Sequence, residues 1–377
     1  MDIKDFKAGV FSAQFQYKSF LPEVINLEWV VSDPSVNILL EDANLKLGAL
    51  DAFSIIVPNV DVFIQMHVVK EATKSSRIEG TQTHLEEAVQ KLANIDPEKR
   101  DDWQEVQNYM KAMSVAITEL ERLPLSSRLF CNTHKLILNS VRGQQKQPGE
   151  FRRSQNWIGG SSIKDAIFVP PIHEEVNRLM GDLENFINNN TIQVPHLIRI
   201  AIAHYQFETI HPFLDGNGRL GRLLITLYLV SNSLLHKPTL YLSDFFEKHK
   251  ELYYDNLMGT RIKNDLTQWI KFFLVAVAET ASQGCQTFKD ILTLREHIEG
   301  LIMTLGKKTA LSKDLLNYLY KSPIISVQDV IDDLGVSKPT ANAIIRNFQK
   351  LDILYEQTGF KRNRIFVFEQ YLNLFKR

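Results

Sequence analysis

The chain has 377 residues, 44% of them apolar, and its 43 lysines and arginines nearly balance its 44 aspartates and glutamates. This length and composition predict a globular protein of two or three domains with a substantial buried core. The near balance of charge excludes a strong overall attraction to nucleic acid or to an anionic membrane, so any such affinity must be local.

The amino-terminal part of the chain shows little periodicity. Up to about residue 58, apolar residues are scattered and interrupted by Pro22 and Pro34, so we expect an irregular arm, which includes the segment YKSFLP. From Asn59 onward, apolar residues recur at helical spacing until Gly80, which permits a helix to stop. The sequence therefore predicts one helix between an irregular arm and the middle of the chain.

The middle of the chain is predicted to be mostly helical. Amphipathic patterns cover roughly residues 83–94, 101–121, 126–139, 173–189, 195–210, 217–232, 245–258 and 264–282. One stretch breaks the pattern, because Asn156 to Pro171 places two short aromatic and β-branched runs around a Gly/Ser-rich bend. This stretch predicts a small β-hairpin on a mostly α domain.

The carboxyl-terminal part predicts a separate module. After about residue 285 we expect a helix, and from about residue 307 a compact unit that begins with helical turns. A helix ends at Gly335, a second helix is capped by Ser337, and a strand and the run RNRIFVF follow. This order is typical of a winged helix-turn-helix.

The most informative stretch is His211–Arg222, HPFLDGNGRLGR. It contains GNGRLG, which satisfies G-x-G-x-x-G, but a dinucleotide fingerprint requires a strand before its first glycine. The residues before this glycine, IRIAIAHYQFETIHPFLD, follow a helical pattern, which disfavours a dinucleotide site. What remains is a Gly-rich turn that enters an apolar helix, where free backbone N–H groups and the helix dipole favour an anion.

The side chains around this turn suit phosphate chemistry. Arg219 and Arg222 add two positive charges on the first helical turn, as several phosphates would require. Asp215 is the nearest carboxylate for a Mg²⁺ ion that arrives with phosphate, and His211 can be a neutral base near pH 7. The constellation indicates phosphoryl or nucleotidyl transfer to a hydroxyl.

The same stretch resembles the Fic family at all eight specified positions of the motif H-x-F-x-D/E-G-N-G-R-x-x-R. These positions are His211, Phe213, Asp215, Gly216, Asn217, Gly218, Arg219 and Arg222. The resemblance implies a mostly α fold, a Fic-type helical core with a β-hairpin flap. It also implies an enzyme, since Fic proteins mostly transfer AMP from ATP to a Ser, Thr or Tyr hydroxyl of a target protein.

The resemblance also implies roles for individual residues. His211 would be the general base, Asp215 the Mg²⁺ ligand, Phe213 a core anchor and Arg222 the partner of the terminal phosphate. The ATP-binding set would comprise Gly216, Asn217, Gly218, Arg219, Leu220, Gly221, Arg222 and Tyr254. Tyr253 and Tyr254 are both candidates to line the adenine pocket, although tyrosines of an amphipathic helix are more often core residues. A related kinase-like branch has lysine at the position of Gly218, and this chain does not.

A second resemblance concerns the segment SSRIEG, Ser75 to Gly80. By itself this segment reads as a helix end, but it is similar to the family's inhibitory pattern S/T-x-x-x-E-G/N at Ser75, Glu79 and Gly80. By resemblance, the Glu79 carboxylate would form a bidentate pair with Arg222 and occupy the charge that the γ-phosphate of ATP needs. The alternative, in which Glu79 orients a water for removal of AMP, stays open.

These observations lead to a division into three regions and to a set of partners. We expect an amino-terminal arm with the inhibitory helix (1–95), a Fic catalytic domain (96–285) and a linker helix with a winged-helix domain (286–377). The partners would be ATP and a target protein, whose extended segment pairs with the edge of the flap. The sequence leaves open whether the chain forms homo-oligomers.

The carboxyl-terminal module could also bind DNA through Lys338, Thr340 and Asn342 at the start of its second helix. From Ser337 to Arg364, six basic residues oppose two acidic ones. The basic residues are Lys338, Arg346, Lys350, Lys361, Arg362 and Arg364. Because winged helices also dock proteins, the alternatives are a DNA-binding regulator whose core senses nucleotide, or a Fic enzyme that moves another phosphate-containing group.

The remaining features predict the compartment. The amino terminus lacks the pattern of a signal peptide, and the best apolar run, FFLVAVA, is too short to span a bilayer, so we expect a cytoplasmic protein without a membrane partner. Cys131 and Cys285 lie far apart and without metal-ligand spacing, which predicts ordinary buried thiols.

Overall fold

The computed structural model describes residues 1–57, 60–139, 144–360 and 363–376. Within these residues the fold is mostly α, as predicted, with two small antiparallel sheets. The helices are α1 (Pro34–Ile56), α2 (Val60–Ile78), α3 (Leu85–Ala88), α4 (Arg100–Glu119), α5 (Ser127–Ile137), α6 (Val176–Asn188), α7 (His196–Ile210), α8 (Asn217–Ser231), α9 (Ser243–Lys248), α10 (Lys250–Lys263), α11 (Leu266–Met303), α12 (Thr309–Lys321), α13 (Val327–Leu334), α14 (Lys338–Lys350) and α15 (Glu369–Asn373). The strands are β1 (Gly9–Ala13), β2 (Lys18–Pro22), β3 (Ile324–Ser326), β4 (Tyr355–Glu356) and β5 (Ile365–Val367).

The prediction of an irregular amino-terminal arm was wrong. β1 and β2 form an antiparallel pair with Gly9 opposite Pro22, and α1 is a helix of 23 residues. Pro34 occupies the first turn of α1, where its missing N–H is harmless, and Asp33 caps that turn. The helix has no single apolar stripe, since apolar residues such as Leu45 and Ile56 are exposed while Leu50 is buried against α11. Periodicity therefore could not reveal it.

The predicted helices of the middle region are present, with different boundaries. The helix predicted between Asn59 and Gly80 is α2, while Asn59 itself lies outside the described residues. The segment 83–94 breaks into α3 and a short 3-10 turn, and the segment 245–258 divides between α9 and α10. α11 runs without interruption through residue 285, where the sequence suggested a boundary.

α7 and α8 form the centre of the fold. Every residue of α7 except its first, His196, is buried, and so is every residue of α8 up to Leu229. A helix that is buried on all sides requires neighbours on every side: α6 and α11 pack against α7, and α2, α4 and α5 pack against α8. The junction between α7 and α8, which carries the motif, is therefore held by the core itself.

The predicted β-hairpin at Asn156–Pro171, here called the flap, is less regular than expected. Its two arms meet only in an antiparallel bridge between Ile158 and Phe168, and the bend between them is closed by Asp165, which accepts from the backbone of Ser161 and Ser162. The next residue, Val169, instead accepts a hydrogen bond from the Phe20 N–H of β2 at 2.9 Å. The amino-terminal sheet thus pairs with the flap.

The carboxyl-terminal module contains the predicted helix, turn, helix and strands. α13 ends at Gly335, whose φ of 62° favours glycine, and Ser337 caps α14. The sequence did not indicate β3, which pairs with β5 so that the sheet order is β3-β5-β4. The winged-helix interpretation stays a prediction, and its residues Lys361 and Arg362 lie outside the described residues.

This module packs directly against α2. The rings of Phe63 and Tyr320 meet edge to face at 5.3 Å between centroids, and those of His67 and Phe375 do so at 5.1 Å. Near the chain end, Lys376 pairs with Glu86 at 2.7 Å. The helix that bears the inhibitory pattern therefore lies between the core and the carboxyl-terminal module.

Two features bear on the expected compartment. Cys131 and Cys285 are unbonded and half-buried rather than fully buried. Across the described ranges, no helix combines the length and apolar content that crossing a bilayer would require.

Candidate active site between α7 and α8

His211 ends α7 in a left-handed conformation, with φ of 49° and ψ of 61°. Histidine is one of the few residues besides glycine that adopt this region with modest strain. The conformation turns the chain out of α7, so the imidazole stands at the junction with α8. The His211 carbonyl accepts hydrogen bonds from Arg152 Nε at 3.0 Å and from Asn156 Nδ2 at 3.1 Å.

The imidazole of His211 is neutral at physiological pH. Burial lowers its pKa to about 3, the carboxylate of Glu79 works in the opposite direction, and Arg261 and Arg152 lower the pKa further. Its Nδ1 atom is buried and has no hydrogen-bond partner in the described part of the chain. A neutral, partly accessible imidazole has the protonation state that a general base needs.

The loop between His211 and α8 is closed by its own side chains. Phe213 is fully buried and stacks on His134 at 3.8 Å between centroids. The Asn217 side chain accepts from the Phe213 N–H and donates to the Phe213 carbonyl, both at 2.8 Å. His134 Nε2 donates to the Asp215 carbonyl at 2.9 Å. The predicted anchor role of Phe213 thus fits its packing, while the Asn217 amide group is engaged within the loop.

α8 begins without a side-chain cap. Gly216 precedes it with φ of 75°, a conformation suited to glycine, and the first intrahelical bond runs from Leu220 N to the Gly216 carbonyl at 3.1 Å. The N–H groups of Asn217, Gly218 and Arg219 have no partner within the helix by its geometry. This turn therefore has the geometry from which the sequence predicted an anion site, and binding of an anion there stays a prediction.

The two arginines of the motif are both buried but have different partners. Arg219 pairs with Glu105 of α4 at 3.1 Å and with Asp215 at 3.5 Å. Arg222 donates from Nε to Ser75 Oγ and from Nη2 to the Ser75 carbonyl, both at 2.9 Å. The sequence had not indicated Glu105 as a partner.

Glu79 lies at the end of α2 and meets Arg222. Its Oε1 atom accepts from Arg222 Nη2 at 2.6 Å. Burial raises the pKa of Glu79, but the Arg222 guanidinium overrides this effect, so the pKa is below its usual value and the carboxylate is ionised. The contact differs from the bidentate pair expected from the sequence, because Ser75 takes the Nε donor.

Gly218 makes room for this carboxylate. A Cβ atom at Gly218 would collide with Glu79 Oε1 and would lie 2.9 Å from Arg222 Nη1. The motif glycine Gly218 and Glu79 are therefore in direct steric contact.

α2 is held in this position by ion pairs on its other side. Asp244 of α9 pairs with Lys70 at 2.9 Å and with Lys74 at 3.1 Å, and Lys250 Nζ donates to the Ile78 carbonyl at 2.6 Å. The buried carboxylate of Glu71 accepts from Ser243 Oγ at 2.5 Å. These contacts fix the position of α2 relative to Arg222.

Of the two candidate tyrosines, only one is exposed. Tyr253 is buried and its hydroxyl donates to His204 Nε2 at 2.9 Å, so it belongs to the core. Tyr254 is 38% exposed, and the ammonium group of Lys250 lies 5.9 Å from its ring centroid. Tyr254 alone can meet a ligand from this face.

Arg152 is a site residue that the sequence did not reveal. This buried guanidinium donates to the carbonyls of Pro171, Ile210 and His211 at 2.5, 3.3 and 3.0 Å, which ties the flap to the junction of α7 and α8. The carbonyls that Arg152 contacts are far from it along the chain, so no sequence motif or helical spacing could have predicted these contacts.

Replacing Arg152 with alanine is expected to lower the free energy of unfolding by about 2–4 kcal/mol, because three buried carbonyls lose a charged donor. Urea denaturation measures this change. The adjacent Arg153, whose side chain is 79% exposed, is the matched control, and Arg153→Ala should change stability by less than about 0.5 kcal/mol. Equal changes in the free energy of unfolding for the two variants would contradict the proposal that Arg152 stabilises the contact between the flap and the junction of α7 and α8.

Comparison with known families supports the motif. Residues 38–118 match the family described as Fic/DOC family N-terminal, and residues 124–229 match the family described as Fic/DOC family. Over 140 residues the chain is 33% identical to "Protein adenylyltransferase Fic" of Aedes aegypti and 32% identical to that of Culex quinquefasciatus. The aligned part is 37% of this chain and 25% of each of those proteins, so the chain spans about a quarter of the length of these curated relatives.

The fold is similar to that of solved Fic structures. A Fic family protein from Desulfovibrio desulfuricans has a TM-score of 0.55 at 21% identity, with coverage of 90% of this chain and 97% of that one. A Fic domain containing signaling protein from Bacteroides thetaiotaomicron has a TM-score of 0.55 at 17% identity, with coverage of 68% and 97%. The complete motif between α7 and α8 lies within the second matched region, so this chain contains a Fic/DOC family N-terminal region at 38–118 and a Fic/DOC family domain at 124–229.

Proposed function

We propose that this protein is an adenylyltransferase that transfers AMP from ATP to a Ser, Thr or Tyr hydroxyl of a target protein. The observation that carries the proposal is the neutral imidazole of His211 beside the uncapped start of α8 and two buried arginines. The names of the curated relatives support the same activity.

In the proposed reaction, the target hydroxyl gives its proton to His211 and its oxygen attacks the α-phosphorus of ATP. The new bond joins that oxygen to phosphorus, and the bond to the leaving pyrophosphate breaks. The backbone from Gly216 to Arg222, including Leu220 and Gly221, and the side chains of Arg219 and Arg222 hold the phosphates. Their negative charge raises the pKa of His211 again, which makes the imidazole a stronger base.

The donor set fits a divalent cation that arrives with the nucleotide. In the described residues, no group of three or more metal-ligating side chains is present, so the proposal takes the remaining Mg²⁺ ligands from phosphate and water. Asp215 has a carboxylate side chain that is 48% exposed beside the anion site, and one carboxylate with phosphate oxygens and waters is a usual Mg²⁺ shell. Bound there, Mg²⁺ would neutralise charge on the phosphates.

Asp215→Asn is expected to raise the Mg²⁺ concentration for half-maximal AMP transfer by at least about tenfold, since even outer-shell partners of a metal contribute that much. A Mg²⁺ titration at fixed ATP, scored by incorporation of α-labelled ATP, measures the shift. Asp165→Asn in the flap bend removes a carboxylate away from the anion site and serves as the control. An unchanged titration in Asp215→Asn would remove Asp215 from the metal shell.

We further propose that Glu79 and Ser75 keep the enzyme inactive. Their hydrogen bonds occupy Arg222, the group that would otherwise hold the γ-phosphate, so ATP binds in an unproductive pose. The contact with Gly218 adds a second argument, because a lysine there, as in the kinase-like branch, could not coexist with this position of Glu79. Tyr254 is the proposed adenine contact. In the alternative role, Glu79 would orient a water to remove AMP from the target.

Intact-mass measurement after incubation with Mg-ATP tests the activity. A gain of one AMP on the protein or on a partner from a lysate supports the adenylyltransferase, and a different phosphate-containing adduct would favour the related group transfers. A second candidate role, DNA binding, rests on the exposed side chains of Lys338 and Thr340 at the start of α14. Salt-dependent binding to duplex DNA without any adduct would favour that regulator.

A further inference from the structure

Glu208 is a buried carboxyl group of the site to which the proposed reaction assigns no role. It lies on α7 three residues before His211, and its side chain is 8% exposed. The carboxyl group rests against Gly221 of α8, where a Cβ atom would collide with Glu208 Oε1. Gly221 therefore makes room for Glu208 as Gly218 does for Glu79, one turn earlier on the same helix.

The carboxyl group of Glu208 and the imidazole of His211 are buried side by side without a hydrogen bond between them, and the backbone of Glu208 also interacts with the imidazole and raises the pKa of His211. Glu208 Oε1 and His211 Nδ1 are both buried without a hydrogen-bond partner in the described residues. Glu208 Oε2 lies 4.0 Å from His211 Nδ1, which is beyond a hydrogen bond but within reach of a small rotation. A buried donor or acceptor without a partner is unfavourable, so a hydrogen bond from His211 Nδ1 to Glu208 Oε2 would satisfy the buried nitrogen. Catalytic hydrogen bonds are often long in ligand-free structures and shorten when substrate binds.

Charged groups from three helices face Glu208 and decide its protonation. Burial raises its pKa to about 7; Arg222 of α8 lowers it, Glu79 of α2 raises it, and Arg261 of α10 lowers it again. The Tyr253 hydroxyl of α10 also faces this carboxyl group. The negative charge of Glu79 favours the protonated form of Glu208, and this charge is lost from the site when Glu79 leaves Arg222. Release of the proposed inhibition therefore favours the ionised carboxylate.

We propose that Glu208 is the positioning residue of His211. In the released enzyme its carboxylate accepts the proton on Nδ1, which leaves the lone pair on Nε2 facing the target hydroxyl. The hydroxyl proton then passes to Nε2, the oxygen–phosphorus bond forms, pyrophosphate departs, and Glu208 stabilises the positive imidazolium until Nε2 returns its proton to solvent. This inference rests on the proposed adenylyl transfer, but the pairing itself is measurable without it.

The first arm of the test is independent of activity. Protein with ¹⁵N-labelled histidine and the substitution Glu79→Gly is compared with Glu79→Gly/Glu208→Gln, both with Mg²⁺ and a non-hydrolysable ATP analogue. Nitrogen chemical shifts report the tautomer of His211, and a downfield Nδ1 proton is expected only when Glu208 is present. Identical His211 signals in the two proteins would overturn the proposal.

The second arm is the pH dependence of self-labelling from α-labelled ATP at saturating ATP. Because the ionised carboxylate is the active form, the rate for Glu79→Gly should rise with pH. Its midpoint should lie below the pKa of Glu208 in the protein that keeps Glu79, because the negative charge of Glu79 raises that pKa. Glu208→Gln should lower the rate by about tenfold or more and remove this rise, with the KM for ATP unchanged. Parallel pH profiles for the two proteins would also overturn the proposal that Glu208 positions His211. If Glu208 had only a structural role, its substitution would change neither the tautomer of His211 nor the pH profile.

Two controls keep the result interpretable. Glu184→Gln, which removes a carboxylate that accepts from Ser127 N far from the site, should leave the His211 signals in place. Should Glu208→Gln fail to fold, Glu208→Asp keeps the charge but shortens the reach, and a weakened Nδ1 interaction is expected. Absence of any labelling by Glu79→Gly would refute the adenylyltransferase itself, whereas the nuclear magnetic resonance arm would still decide the pairing.

Discussion

Glu79→Gly is expected to raise AMP incorporation by about 10- to 100-fold. The substitution removes the charged hydrogen bond between Glu79 Oε1 and Arg222 Nη2, and such bonds contribute about 1.5–3 kcal/mol, or one to two powers of ten in the occupancy of Arg222. The freed guanidinium can then hold the γ-phosphate of ATP in the productive pose. Incubation with α-labelled ATP, Mg²⁺ and a lysate, followed by autoradiography, measures the increase.

A control is needed to show that the increase in AMP incorporation results from the release of Arg222 and not from greater backbone freedom at the end of α2. Arg77→Gly also introduces a glycine at the end of α2, two residues before Glu79, while the side chain of Arg77 contacts Thr83, His84 and Glu247. It should therefore activate far less than Glu79→Gly. Glu79→Gln, which keeps the shape and removes the charge, should activate partially. Equal labelling by the wild-type protein and Glu79→Gly would remove the proposed switch.

His211→Ala in the Glu79→Gly background is expected to lower the rate of AMP transfer by about 10²- to 10⁴-fold, the usual contribution of a general base. The backbone of α8 and the two arginines stay in place, so ATP binding should persist. Initial rates of labelling and equilibrium ATP binding, measured on the same preparation, separate the two effects.

A histidine outside the site supplies the comparison. The His236 side chain is 62% exposed and pairs with Asp51 at 2.8 Å, so His236→Ala in the same background should label at the rate of its parent. If His211→Ala labelled as fast as His236→Ala, proton transfer to His211 would have no part in the reaction.

The parts of the site that lie close together along the chain were predictable. The end of α7 at His211, the glycine turn and the start of α8 all follow from apolar spacing and from the positions of Gly216 and Gly218. The proximity of Glu208 to His211 was also predictable, because residues three positions apart at the end of a helix lie on the same face of that helix. The spacing was present in the sequence, but no motif drew attention to it.

Other features escaped prediction for identifiable physical reasons. α1 is a long helix without an apolar stripe, so its spacing resembles no helical template. The flap was predicted as a hairpin from β-branched and aromatic residues, but it contains a single β-bridge, between Ile158 and Phe168, and the next residue, Val169, pairs with β2 from the amino-terminal part of the chain. In both cases, tertiary neighbours and not local propensity decided the structure.

The sequence by itself determined the chemistry of the motif: a histidine, a glycine turn and two arginines at the start of an apolar helix, all within twelve consecutive residues. Only the tertiary structure decided what each of these groups contacts. Glu79 and Arg222 are 143 residues apart, Glu105 and Arg219 are 114 apart, and Arg152 reaches carbonyls on both sides of the site. A hydrogen bond between distant segments is set by how whole helices pack, and periodicity within one helix contains no information about that packing.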